Sequence, residues 1–311
     1  MKTVLVTGAK GCIGAWTLRV LLDQGHNVIS LDLPGNMHRL ELILGDDLNR
    51  VKLIDGDILD APAVAKLVQD EGVTNIVHLA ALQVPAARAK PTLGAQINVV
   101  GTVNVFEAAR AAGIRHIAYA SSIAAYSPTR TFEPQTLYGV WKLANEGTAR
   151  VYHLENGISS IALRPNVVYG LGRDFGLTSS PTFAMLAAAA GKGYHIPYAS
   201  RMVYQSGRDI GLLFARAALH EGYDGAGVFD PPGTAAITSE VIAAINRVVP
   251  DVTITHGDTV LPFPSEYDAE ALEAVIGPVQ MESMDDGIAQ AVADFRAALA
   301  AGKIAVPENA V

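Results

Sequence analysis

Tyr138 and Lys142 lie four residues apart in a run, Leu137 to Leu154, whose apolar spacing predicts a helix, so a phenol and an ammonium project from one face. A tyrosine with an ordinary pKa of about 10 is a poor base at neutral pH, but a nearby cation stabilises its phenolate. Such a phenol can exchange a proton with a substrate hydroxyl or carbonyl. Ser121 and Ser122 follow the apolar run Ile114 to Ala120, which reads as a strand. Ser122 is expected to orient the substrate oxygen while Tyr138 moves the proton, and Ser121 to cap the strand end. The same Tyr and Lys spacing also occurs on solvated helix faces, and the elements around the pair decide between the two readings.

Those elements begin at the N-terminus. Thr3 to Thr7 is a short β-branched, apolar run suited to a buried parallel strand, and Gly8, Gly11 and Gly14 follow it at a spacing of three. Cys12, Ile13 and Gly14 open a predicted helix, Cys12 to Leu22, which Gly25 closes. A strand, glycine turn and helix in this order aim backbone N–H groups and a helix N-terminus at a diphosphate. The next strand, Asn27 to Leu31, ends on Asp32, about 20 residues past the glycines, where a carboxylate takes both hydroxyls of an adenosine ribose. The pattern predicts a dinucleotide site, and the carboxylate favours NAD over NADP because it repels a 2′-phosphate. His38 and Arg39 nearby weaken that preference. Cys12 in the turn reads as a small packing residue.

Strand-like and helical runs alternate through the first half: strands at Val51 to Ile54, Thr74 to His78, Ile114 to Ala120 and Ile158 to Leu163, helices at Ala61 to Gln69, Ile97 to Ala111 and Leu137 to Leu154. This predicts an α/β fold, a doubly wound parallel sheet of Rossmann type, with the Tyr138 helix following the fifth strand. Placed there, the Tyr138 and Lys142 pair reads as chemical. After residue 170 the rhythm changes. Phe183 to Ala190 reads as a short helix and Gly191 to Ser206 as irregular. Residues 207–230 are expected to return to the main sheet through a helix, Arg208 to Leu219, and a strand, Gly227 to Phe229. The expected division is a dinucleotide-binding domain over 1–170 and an interleaved, smaller C-terminal substrate lobe from 171–206 and 231–311. Ser239 to Val248 and Met284 to Ala300 read as helices, and Pro307 to Val311 as a frayed tail.

Composition bounds the function further. The 311 residues are 50% hydrophobic with a formal net charge of −8, and no long basic run suits nucleic acid or an anionic membrane surface. A single cysteine leaves no intramolecular disulfide and no thiolate cluster, and no metal site is expected. With no secretory pattern at Met1 and no apolar run of membrane-spanning length, a cytoplasmic location is expected.

Gly8, Gly11 and Gly14, Asp32, Asp57-Ile58, His78-Leu79-Ala80-Ala81, Asn98 with Gly101-Thr102, Ser122, Tyr138-x-x-x-Lys142 and Arg164-Pro165-x-x-Val168-Tyr169-Gly170 together resemble an extended short-chain dehydrogenase/reductase of the NAD-dependent epimerase/dehydratase family. The resemblance covers roughly the first 170 residues in the family's order and spacing. It implies NAD as cofactor, with Asp57 accepting from the adenine amino group and the Ile58 backbone beside it. It further implies that Leu79 to Gln83, Ala80 and Ala81 among them, line the middle of the cofactor and that Asn98 bonds near its ribose or phosphate. Lys142 would hold the nicotinamide ribose, Asn166 would lie near the carboxamide, and the long helices 97 to 111 and 137 to 154 would pair across a homodimer.

Two departures narrow the activity. Family dehydratases carry Asp-Glu after the active hydroxyl residue, where this chain has Ile123-Ala124. Members acting on nucleotide-diphosphate sugars usually place an arginine two residues before an aromatic ahead of the helix near Asp209. Here Tyr204 supplies the aromatic and Met202 stands at the arginine position. Arg201 is one residue away, where a one-position shift in alignment would restore a diphosphate contact, whereas a strand would turn it to the opposite face. Thr178 and Ser179, in the segment Gly176 to Pro181, offer hydroxyls to a small-molecule substrate, and Phe175, Tyr194 and His195 are further wall candidates. The leading expectation is an NAD-dependent oxidoreductase acting on a secondary alcohol or ketone of a small sugar, polyol or hydroxy acid, with Tyr138 as acid and base. The alternatives are a nucleotide-sugar epimerase that keeps its NAD, and a non-enzymatic NAD-sensing scaffold.

Overall fold

The computed structural model describes residues 1–264 and 268–311. Among the described residues, twelve strands run in chain order: β1 (Thr3–Thr7), β2 (Asn27–Asp32), β3 (Lys52–Asp55), β4 (Asn75–His78), β5 (His116–Ala120), β6 (Ser159–Leu163), β7 (Val167–Tyr169), β8 (Tyr194–Ile196), β9 (Arg201–Ser206), β10 (Ala226–Phe229), β11 (Thr234–Ile237) and β12 (Ile254–His256). Seven of them form one sheet in the order β10-β6-β5-β4-β1-β2-β3, and every pairing in it is parallel. This is the doubly wound, Rossmann-type α/β fold expected from the alternation of elements.

Side-chain alternation along each strand divides the core in two. Val4 and Val6 of β1 face one side with Val28, Val77, Ala118 and Ile161, where the helices Cys12–Asp23 and Gly207–Leu219 cover them. Leu5 faces the other with Ile29, Ile76 and Ile117, covered by Ala61–Asp70 and Gly101–Ala111. Because both faces are buried, these strands read as continuous apolar runs rather than as alternating ones.

The first core continues without a break into Tyr198, Met202, Tyr204, Val241, Ile245, Val292 and Phe295. A three-stranded sheet, β11-β9-β7, is built there, with β9 parallel to β7 and antiparallel to β11. Its first strand begins at Val167, ahead of the sequence-based boundary near residue 170. The stretch 191–206, expected to be irregular, instead supplies β8 and β9. Both are short, and their partners β12 and β11 lie well downstream, so no local pattern announces them.

Two other expectations change. The helix expected over 97 to 111 opens with a π-helical segment, Gln96–Val100, before the regular helix Gly101–Ala111. Within that segment the Asn98 carbonyl accepts from Asn145 Nδ2 at 2.7 Å and from Thr102 Oγ1 at 2.8 Å, which draws it toward side chains. The expected frayed tail is tied down: Val311 N donates to Gly193 O at 3.0 Å and Gly193 N to Val311 O at 2.6 Å. No described helix is long and apolar enough to cross a membrane.

Candidate active site

The strand order carries the chain from β1 outward to β3 and then back to the other side of β1, so the loops after β1 and β4 part above the sheet's C-terminal edge. Ligands of open parallel sheets bind at such a reversal. Gly8 turns the chain there with φ +69°, and a Cβ on it would lie 2.6 Å from Ala80 N. At Gly14 a Cβ would lie 2.4 Å from Gly8 O and 2.6 Å from Ala9 Cα. Only glycine fits either position, and the backbone is left bare where a diphosphate approaches. The helix Cys12–Asp23 starts at Gly11 without a side-chain cap, so its first N–H groups are available to an anion.

One cleft of about 1180 Å³, counted to its open mouth, runs from this turn to the catalytic candidates. Gly8, Gly11, Cys12, Ile13, Gly14, Leu79, Ala81, Ser122, Tyr138, Lys142, Asn166 and Thr178 line it. Sequence reasoning placed all twelve in the cofactor or substrate site, and the fold brings them to one cleft. Asn166 has both amide atoms buried without a hydrogen-bond partner among the described residues, an amide free to meet another amide. The glycine cradle and this orphaned amide fit a bound NAD.

At the reactive end, Thr136 caps the helix Leu137–Asn156 by accepting from Gly139 N at 3.0 Å, which fixes the first turn carrying Tyr138. Ser122 caps the short 3₁₀ turn Ile123–Ala125, accepting from Ala124 N at 3.2 Å, and its hydroxyl shares the cleft with the Tyr138 phenol and favours its ionised form. Lys142 Nζ sits 5.5 Å from the centre of the Tyr138 ring and donates to Ala120 O at 2.6 Å. Burial pushes the Tyr138 phenol up to about 12, with the Ser122 hydroxyl and the Arg173 charge pulling the other way. Lys142 is only 4% exposed, and desolvation pushes it down to about 8 against the upward pull of Glu146. Ser121 stands apart from the chemistry: it is buried and donates to Glu146, which also holds Arg164 through Nε–Oε1 at 2.8 Å and Nη2–Oε2 at 2.6 Å.

The adenosine end is laid out along neighbouring strands. Asp32 stands at the end of β2 and accepts from Lys10 N and Leu33 N, each at 2.8 Å. His38 and Arg39, the cations that could have served a 2′-phosphate, are committed to Asp174, with His38 Nε2 at 2.6 Å and Arg39 Nε at 2.9 Å. Asp57 is exposed in the loop after β3 and accepts from Leu59 N at 2.9 Å, while the Ile58 carbonyl accepts from Asn104 Nδ2 at 2.9 Å. Ala80 is beneath Gly8 rather than in the cleft wall.

Several expected residues serve other ends. Asn98, expected at a cofactor ribose or phosphate, is 1% exposed and spends its amide on Leu82, accepting from Leu82 N at 2.7 Å and donating to Leu82 O at 3.0 Å. It shapes the loop 79 to 83 from behind. Ser179, expected at the substrate, is buried and donates to Gly176 O at 2.6 Å, closing a turn. Phe175 is exposed, Tyr194 packs near Phe183, and His195 bonds Thr255, so none of these walls the cleft. Cys12 lies in the turn as a packing residue, its thiol pushed up to about 11 by desolvation.

Gln83, expected along the middle of the cofactor, lines the cleft, and Arg173, Met202 and Phe263 are among the walls that sequence reasoning missed. Alternation on β9 was the one available signal: Met202 is 1% exposed and faces the cleft, and Arg201 faces solvent. Arg173 and Phe263 lie in loops without periodicity.

Residues 4–209 match the NAD dependent epimerase/dehydratase family. UDP-glucose 4-epimerase 4 of Oryza sativa subsp. japonica is 33% identical over 178 residues, covering 52% of this chain and 48% of the relative. UDP-glucose 4-epimerase of Mycolicibacterium smegmatis is 33% identical over 184 residues, covering 56% and 58%. The chain thus spans about half the length of the curated relatives it matches. Among solved structures, a partial-consensus L-threonine 3-dehydrogenase superposes with a TM-score of 0.84 at 23% identity, over 95% of this chain and 99% of that one. The NAD complex of UDP-glucose 4-epimerase from Thermus thermophilus gives 0.79 at 24% identity, over 95% and 99%. Such low identities establish a common fold rather than a common substrate. The glycine cradle, the cleft beside it and the match over two-thirds of its length place this chain in the NAD-dependent epimerase/dehydratase family, with NAD as its cofactor.

Proposed function

We propose that the chain is an NAD-dependent dehydrogenase moving a hydride between nicotinamide and a secondary alcohol or ketone of a small sugar, polyol or hydroxy acid. The observation that carries this reading is the meeting of Ser122, Tyr138 and Lys142 at one end of the cleft. Bound NAD supplies the hydride acceptor. Ser122 donates to the substrate oxygen and sets its position against the phenol. Tyr138 removes the hydroxyl proton, and the Lys142 ammonium offsets the phenolate charge in a site where burial alone opposes ionisation. Asn166 would meet the carboxamide and fix which face of the ring is presented to the substrate.

Met202 supports a compact substrate over a nucleotide-diphosphate sugar, because it puts a thioether in the cleft and leaves Arg201 outside. The epimerase reading draws on the names of the sequence relatives and uses the same three residues, but returns the hydride and forms no net NADH. A panel of sugars, aldonic and uronic acids, polyols and simple alcohols with NAD, read by NADH absorbance, separates the two. Tyr138→Phe is expected to lower turnover at least about 100-fold and leave NAD affinity within about threefold. Near-normal turnover in that variant removes Tyr138 from its role. A flat panel together with epimerised UDP-sugar replaces the dehydrogenase reading, and no turnover of either kind favours an NAD-sensing scaffold.

A homodimer belongs to the same reading. On the helix Leu137–Asn156 the exposed residues Leu137, Val140, Ala144, Gly147, Val151 and Leu154 recur every three or four positions, an apolar stripe on the outer face. Leu93 and Val100 are exposed on the neighbouring helical segment. A stripe of this kind is stable in water when a second copy covers it.

A further inference from the structure

We propose that Arg173 is the specificity residue of the cleft and that it selects a substrate carrying a carboxylate, a hydroxy acid rather than a neutral sugar or polyol. The inference rests on the dehydrogenase reading for the chemistry but concerns a separate group.

Arg173 follows Gly172 on the loop after β7 and lines the cleft. Its Nη2 donates to Thr178 Oγ1 at 3.1 Å, which ties the guanidinium to the Gly176 to Pro181 segment. Its Nε is buried with no hydrogen-bond partner among the described residues. Nor does it have an ion pair there, since its neighbour Asp174 is turned outward to His38 and Arg39. A half-buried guanidinium without a counter-charge is costly, and proteins retain one where a ligand completes it.

The cleft makes the missing charge conspicuous. Its described lining contains two cations, Lys142 and Arg173, and no aspartate or glutamate. Lys142 is turned to Ala120 O and the Tyr138 ring. Arg173 is therefore the cation left for an incoming anion, and it presents paired N–H groups in the planar fork that matches a carboxylate. Arg173 and Tyr138 line the same cleft, so an anion held by the guanidinium shares the cleft with the phenol. Thr178 beside it offers a hydroxyl to the same substrate.

The field of Arg173 reaches Cys12 in the glycine turn, so the anion could also be the cofactor's diphosphate. The turn already serves that group with backbone N–H groups and a helix N-terminus, and this favours the substrate.

The test uses the full-length protein with NAD and paired probes: a hexuronate with the matching hexose, an aldonate with the matching alditol, and 3-hydroxybutyrate with 2-butanol. Wild type is expected to oxidise the acid of at least one pair in preference to its neutral partner. Arg173→Met should lower the acid-to-neutral ratio of kcat/KM about 100-fold, with Arg173→Lys intermediate, because an unpaired carboxylate is left in the cleft. General damage to the site scales both members of a pair and leaves the ratio unchanged, which overturns the proposal. Wild type favouring the neutral probes also overturns it, although the dehydrogenase reading stands. Weaker NAD binding in Arg173→Met with an unaltered ratio assigns the guanidinium to the diphosphate instead.

If no probe turns over, the dehydrogenase reading fails and binding still decides the role of Arg173. Holoenzyme melting with each probe at up to about 20 mM should rise with an acid and not with its neutral partner, and the rise should vanish in Arg173→Met. No rise with any acid, or a rise that survives the substitution, refutes the inference.

Discussion

Replacing Lys142 by methionine removes the ammonium while keeping a long apolar stem in a site that is 4% exposed. The ammonium stands 5.5 Å from the Tyr138 ring centre. At that separation, with an effective dielectric of about 20, a unit charge stabilises the phenolate by about 3 kcal/mol, equivalent to about two pH units. Tyr138 is already pushed up to about 12 by burial, so loss of the cation moves it further from the working range. For alcohol oxidation the phenolate is the active form, and kcat/KM rises with pH until the phenol has ionised. In Lys142→Met the rate on the rising limb below about pH 8, where wild-type Lys142 still carries its proton, is expected to fall about 100-fold. Lys142→Arg keeps the charge and should hold that rate near its original value. The assay is NADH formation across the pH range at saturating NAD, with NAD affinity measured separately. An unchanged rate below about pH 8 at saturating NAD, with weaker NAD affinity, would mean that the lysine only holds the cofactor, and the electrostatic account would be refuted.

Two other perturbations test the scaffold. His78 is buried between Thr7 Oγ1 at 2.7 Å and Thr102 Oγ1 at 3.0 Å, and desolvation, with a further contribution from the Lys142 charge, pushes it down to about 3. Its unfolded form takes a proton below about pH 6.5, while the folded form resists until about 3, so its contribution to stability is complete above 6.5 and is lost as pH falls through that window. Between pH 6.5 and 5, urea unfolding of wild type should lose about 2 kcal/mol more than unfolding of His78→Asn, and equal losses would point to another group. Val151→Glu places a charge on the exposed apolar stripe and should convert a dimeric light-scattering mass to that of one chain; a wild type that is already a single chain removes the dimer reading.

Much of the nucleotide half was legible because its demands are local. A turn that must expose its backbone requires glycine at Gly8 and Gly14 whatever the rest of the chain does, and two residues a helical turn apart must share a face, as Tyr138 and Lys142 do. Strands buried on both faces announce themselves as apolar runs, so the order of the strands through β6 could be read directly. Roles set by contacts distant in sequence could not. Asn98 turned to Leu82, 16 residues back, rather than to the cofactor, and Ser179 closed its own turn. Likewise β8 and β9 are too short to be distinguished before β12 and β11 pair with them.

The amino-acid sequence alone determined the fold class, the cofactor and the phenol with its cation, since each follows from spacing within one element or one turn. The tertiary structure decided what surrounds them. Which of Arg201 and Met202 enters the cleft depends on the face that β9 turns inward when it pairs with β7 and β11. Whether Arg173 has a carboxylate partner depends on His38 and Arg39, more than 130 residues earlier, drawing Asp174 away. Charge balance in a cleft is a sum over segments remote in the chain, and only folding brings those segments together.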